Sequence, residues 1–235
     1  MKSYTITCLL AVGCLQTLHT QAQTADDILK KYIAARGGEQ LLKGVKSLYI
    51  EGECKVKGIK GSIRSWAVDD AGRRIEMSIL TTRFTTAVTK NNGWTQIGEK
   101  GTAKVMTDKE LNNNNKGLDL SDLAGYKEKG KVATLKGKET VNGKPVYKIL
   151  VTGGNEPARE MFIDAVSYLP VRIQTNKMVD GKETYETMEY GEYKKTPGGY
   201  VYAGKSYAKE AGLSITVTRV DVNLPVNNDL FKAPR

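Results

Sequence analysis

From Ser47 to Asn223 the chain alternates apolar and polar residues with a period of two, interrupted at short intervals by turn-forming residues. That period marks half-buried strands, because successive side chains on a strand point to opposite faces. It predicts strands over 47–57, 61–69, 73–80, 83–90, 94–97, 131–141, 145–152, 158–164, 168–176, 183–195, 200–209 and 213–223. Between them stand "DDAG", "NNG", "VNGK", "GGN", "VDGK", "PGG" and "EAG". Asn142-Gly143 and Asp180-Gly181 have the composition of two-residue hairpin turns, whose central residues take positive φ. Links this short cannot carry parallel crossovers, so the strands form an antiparallel meander. A sheet of about ten strands curls rather than staying flat.

Two segments depart from the strand pattern. "TADDILKKYIAARGG" places Ile28, Leu29, Tyr32, Ile33 and Ala35 on one broad helical face, with Thr24 as N-cap and Gly37-Gly38 as the stop. "EQLLKGV" adds a short second turn. The other segment, "TDKELNNNNKGLDLSDLAGYKEKG", opens on the capping pair Thr107 and Glu110 and predicts a further helical turn over Leu118–Leu123. The fold class expected is mainly β with helices (α+β). It is a curved antiparallel half-barrel, closed by the N-terminal amphipathic helix and the short mid-chain helical insert.

Residues 1–22 read as a secretory signal: Lys2, an apolar stretch over Ile6–Leu18, and Thr20 and Ala22 as small residues before a cleavage point. Residues 23–235 then form a single domain. "LAVGC" offers a second route, because Gly13 before Cys14 is the pattern of an acylated cysteine, with Ala11 where leucine is usual. Cleavage predicts a periplasmic protein; lipidation at Cys14 predicts one anchored to the outer membrane.

Cleavage after Ala22 removes Cys8, Cys14 and His19, leaving Cys54 as the one cysteine and no histidine. An internal disulfide is then impossible, and zinc sites and histidine-based acid–base catalysis lose their usual groups. Cys54 reads as a small buried hydrophobe. "SYAK" (Ser206–Lys209) matches Ser-x-x-Lys only formally, since a strand sends those two side chains to opposite faces. No catalytic residue, metal ligand or cofactor is expected, and the chain reads as a non-enzyme. The net charge of +10 is spread along the sequence. Such a spread reads first as a solvated basic surface, with attraction to anionic headgroups at a membrane as the functional alternative, and the secretory signal argues against nucleic acid.

Tyr185, Tyr190, Tyr193, Tyr200, Tyr202 and Tyr207 crowd neighbouring strands, which suits cross-strand packing and leaves open a carbohydrate platform. Near the C-terminus, the inward phase shifts from Ile215 and Val217 to Val220 and Val222, predicting a bulge near Thr218. Pro225 then marks a sheet edge, and Phe231 tucks back to close one end of the half-barrel.

Several stretches carry a resemblance: "ADDILKKYIAARGGEQLLKGVKSLYIEGE", "NNGWTQIG" followed by "MTDKEL", "YKEKGKVATLKGKETVNGKPVYKILVT", "EMFIDAVSYLPVRIQ" and "VDVNLPVNNDLFKAP". Together they resemble the LolA-like superfamily of bacterial outer-membrane lipoprotein-sorting proteins over almost all of 23–235. The resemblance implies a half-barrel whose apolar cavity takes the acyl chains of a lipid or acylated-protein ligand, without catalysis. The lining expected is Trp66, Ile75, Met77 and Ile79 from the early strands, with Trp94 and Met106. A rival reading keeps the fold but fills the core, giving a non-enzymatic structural or interaction module of the envelope.

Overall fold

A computed structural model describes residues 23–114, 118–154, 156–179 and 182–234. The segment read as a signal, Cys14 and the Asp180-Gly181 pair expected to turn lie outside the described residues.

Helix α1 (Ala25–Ala35) starts where Thr24 closes a capping box with Asp27, and Asp26 and Asp27 favour its positive end. It stops at Gly37 and Gly38, whose φ angles of 123° and 94° lie outside the reach of ordinary residues. A short helix, α2 (Glu39–Lys43), follows. Six strands come next: β1 (Ser47–Val56), β2 (Ile59–Val68), β3 (Gly72–Ile79), β4 (Thr82–Thr89), β5 (Gly93–Ile97) and β6 (Lys104–Val105). Helix α3 (Asp108–Asn114) opens the insert on the reciprocal Thr107–Glu110 bonds. The second series is β7 (Lys131–Val141), β8 (Lys144–Gly153), β9 (Arg159–Asp164), β10 (Pro170–Val179), β11 (Lys182–Lys195), β12 (Val201–Ala208) and β13 (Leu213–Val222).

These strands form one antiparallel sheet in the order β6-β5-β4-β3-β2-β1-β13-β12-β11-β10-β9-β8-β7. Two meanders therefore meet where β1 pairs with β13, and the outermost strands β6 and β7 leave the sheet open. Because the insert joins β6 to β7, it must travel from one edge of the sheet to the other. The half-barrel class expected from the sequence is what the fold shows.

The β1–β13 seam carries the expected bulge. Glu51 pairs with Arg219 and Gly52 with Val217, so Thr218 is the extra residue. Ile215, Val217, Val220 and Val222 consequently all share one face with Cys54, Gly52, Ile50 and Leu48. That face carries the helices. Ile28, Leu29 and Tyr32 of α1 pack on Tyr147, Ile149, Val151, Met161 and Ile163 of β8 and β9, with Leu123 and Tyr126 of the insert. Complete burial of Ile28 and Leu29 contributes about 2 kcal/mol each. Leu42 and Val45 pack with Ala124 and Tyr200 over Leu48, Val220 and Val222.

Three expectations are corrected. Leu118–Leu123 makes turns rather than a helix, because Asp119 accepts from the Ser121 N–H and Asp122 takes a left-handed φ of 54°. Pro225 does not mark a sheet edge, since β13 lies between β1 and β12. Phe231 does tuck back and is buried, but against the outer face of the sheet rather than over an end of the half-barrel. Its ring lies where a Gly72 side chain would project, 2.9 Å from that Cβ position, and Gly72 shares its face of β3 with Arg74, opposite Ile75. The two-residue strand β6 is too short to show a period.

Candidate ligand-binding face

The helix-bearing face is packed unevenly. Under α1 and α2 it is packed core, but further along β2, β3 and β4 its apolar side chains lie outside those clusters. Ile63, Met77 and Phe84 are direct cross-strand neighbours on this face. Ile63, Ile75 and Met77 are half-buried, and Phe84 retains 38% of its surface. Met106 approaches the same face beyond β4, where its Sδ comes within 2.6 Å of the Cβ position of Gly93, beside Leu111 and Val88. Glycine at 93 is what allows the insert to lie so close.

Curvature brings opposite walls of this face together. Arg73, two residues before Ile75, shares its side of β3, and its guanidinium feels the Glu186 carboxylate of β11. Strands β3 and β11 stand five places apart in the sheet, roughly 24 Å if it were flat. Only a concave sheet lets those charges interact.

A polar cluster occupies the concave side between the packed and unpacked regions. Asp122, delivered by the insert, lies 3.1 Å from Arg159 of β9 and 3.4 Å from Arg36 at the end of α1. The Tyr32 hydroxyl donates to the same carboxylate. Arg36 also donates to the Val201 carbonyl at 2.9 Å and to the Tyr200 hydroxyl at 3.2 Å. Burial opposes ionisation of Asp122, but Arg159 and Arg36 overcome it and hold the carboxyl at about 2. Burial likewise pushes the Tyr190 phenol up to about 12, so it remains a neutral hydrogen-bonding group. The cluster thus ties α1, the insert, β9 and the start of β12 together across the concavity.

Of the residues expected to line a cavity, the structure brings Ile75, Met77, Ile79 and Met106 to the helix-bearing face. Trp66 and Trp94 go to the other. Trp66 pairs with Arg74, Arg74 with Ala87 and Ala87 with Trp94, which places all four on the opposite side from Ile75. There Trp66 packs on Tyr49 with ring centroids 5.3 Å apart, and Trp94 is buried beneath the C-terminal segment. The six residues therefore do not line one cavity. The tyrosines divide too: Tyr207 pairs with Glu189 on the outer face, Tyr190 with Ser206 on the inner one. Tyr200 joins the α2 core.

A cavity of about 880 Å³ lies toward the Cys54 end of this face, with Cys54, Tyr190 and Ile215 among lysine and glutamate side chains. None of the six expected residues borders it. Cys54 is a free, buried thiol whose pKa burial raises, a packing residue rather than a nucleophile.

Sequence reasoning missed Arg36, Asp122 and Arg159. A signal existed for Arg159, a charge in phase with the apolar Met161 and Ile163, and for Arg73, in phase with Ile75 and Met77.

No family model and no curated protein matches the chain. Solved structures do share its fold. A domain described as an outer membrane lipoprotein-sorting protein from Vibrio parahaemolyticus superposes with a TM-score of 0.55 at 13% identity, covering 86% of this chain and 94% of its own. A LolA superfamily protein from Nitrosomonas europaea gives 0.55 at 10% identity, covering 90% and 98%. A DUF1329 family protein from Desulfovibrio piger gives 0.56 at 10% identity, with the same coverage. At these identities the likeness carries the fold. The chain has the LolA-like fold that its strand and turn patterns resemble.

Proposed function

We propose that this protein is a carrier or binding protein of the bacterial envelope that takes up acyl chains in the concavity of its half-barrel. The observation that carries the reading is the Ile63–Met77–Phe84 row, apolar, on the helix-bearing face, and only partly covered. A surface of that kind inside a curved sheet is poorly solvated and is covered most favourably by another apolar body. Each methylene buried there contributes about 0.8 kcal/mol, so one or two acyl chains supply useful affinity without a covalent step. The flexible thioethers of Met77 and Met106 suit chains of varied shape.

Two further points support the reading. Structures sharing the fold include one described as lipoprotein-sorting, and the first residues of the chain have the pattern of a secretory signal. Among the described residues no helix is long and apolar enough to cross a membrane; the Cys14 pattern and the basic surface are the features that suit membrane contact. Native mass spectrometry of protein purified without detergent tests the proposal. Adducts with the masses of lipids, released by organic solvent and regained on incubation with lipid vesicles, are expected. Protein that carries no adduct and takes none up would overturn the carrier reading in favour of a filled envelope module.

A further inference from the structure

The concave face is not uniformly apolar, since it carries a cluster of guanidinium and carboxylate groups. Arg36 and Arg159 share a single carboxylate, Asp122, which also accepts from Tyr32. Glu186, the carboxylate that Arg73 feels, already holds Lys177 at 2.8 Å. Glu156, near Arg159, is engaged by Lys131 at 3.0 Å. Asp122 therefore serves two guanidinium groups at once. The Nε of Arg159 is buried and meets no hydrogen-bond partner among the described residues. Its side chain keeps 21% of its surface, although the Nε itself is covered, so an acceptor reaches it when the side chains over it part. A guanidinium N–H shut away from water without an acceptor is costly.

We propose that the ligand is an amphiphile with an anionic head, carboxylate or phosphate, seated on the Nε edge of Arg159 with its tail along Ile63, Ile75, Met77 and Phe84. The inference rests on the carrier reading and adds the chemistry of the head. An anionic oxygen supplies the acceptor that Arg159 lacks. A neutral hydroxyl head can accept the same bond but carries no charge, so the bond it makes is the weaker one. Arg73 stands on the facing wall, next to Ile75 on the same side of β3, where it adds to the positive field at the junction of head and tail.

Calorimetric titration of delipidated protein at neutral pH, using dodecanoate, dodecyl phosphate and dodecanol, tests this at one tail length. The two anionic ligands are expected to bind about tenfold tighter than the alcohol, the range of one charge-assisted hydrogen bond. In Arg159→Met that preference is expected to vanish while dodecanol binding persists. Should this variant fail to fold, Asp122→Asn removes the competing carboxylate and is expected to tighten dodecanoate binding with no change for dodecanol. Equal affinity for charged and neutral heads would overturn the anionic head but leave the carrier reading standing. Binding of none of the three would overturn the carrier reading itself. Inorganic phosphate alone, binding as tightly as dodecyl phosphate, would make this a site for free anions and overturn the amphiphile. An anion preference unchanged in both variants would remove Arg159 from the site.

Discussion

The indole N–H of Trp94 donates to the backbone carbonyl of Phe231 at 2.8 Å, fastening the end of the chain to the outer face of β5. Arg74 supports the same contact by donating to the Leu230 carbonyl at 3.0 Å while lying over the Trp94 ring. The C-terminal segment therefore stabilises the sheet from the side away from the helices. Phe231→Ala is expected to cost about 3 kcal/mol, the usual range for a buried phenylalanine. It should lower the melting temperature while leaving lipid uptake intact. Loss of uptake in protein that still folds would place Phe231 in the binding face instead.

Gly52 is the residue that tolerates the Thr218 bulge. A Cβ there would lie 2.5 Å from the Thr216 carbonyl oxygen and 3.2 Å from the Val217 Cα, both backbone atoms that cannot swing aside. Gly52→Ala is expected to destabilise by about 2 kcal/mol through overpacking, measured by urea denaturation. An unchanged midpoint would mean that the seam between the two meanders is looser than the register implies.

Asp122 makes the fold sensitive to acid. Its carboxyl is held at about 2 by Arg159 and Arg36, against an ordinary value of 3.8. A depressed folded-state pKa contributes stability that is fully present above the unfolded value and lost as pH falls through the folded one. Roughly 2 kcal/mol should therefore disappear between about pH 4 and pH 2. The part of the acid transition in that window should be missing from Asp122→Asn, compared by circular dichroism. Matching acid profiles for the two proteins would show that the cluster contributes nothing there.

Placing a charge in the apolar row should separate binding from folding. Met77 is half-buried and lies outside the packed clusters, so Met77→Glu is expected to fold with a small loss of stability. It should lose most uptake of a fluorescent fatty acid, because the carboxylate must be desolvated under an acyl chain. Trp66→Phe, on the other face, should bind as the unaltered protein does. The reverse pattern would put the ligand on the outer face.

Local signals were the readable ones. The Thr24 cap, the glycine stop after α1, the Thr107–Glu110 pair and the Thr218 phase shift each lie within a few residues of one another, and each is found in the fold. The face of each tryptophan was not readable in the same way. Trp66 and Ile75 flank the "DDAG" turn, and its register decides which residues of β2 and β3 share a side. The pairing of β1 with β13, and the meeting of Arg36, Asp122 and Arg159, join residues too distant in sequence for any spacing to show them.

Residue-level photolabelling asks most directly where the acyl chain lies. A fatty acid bearing a diazirine near its tail, bound to the purified protein and irradiated, should label Ile63, Ile75, Met77 and Phe84. Labelling confined to Trp66, Arg74 and Trp94 on the outer face, or no specific labelling of the protein, would contradict the account.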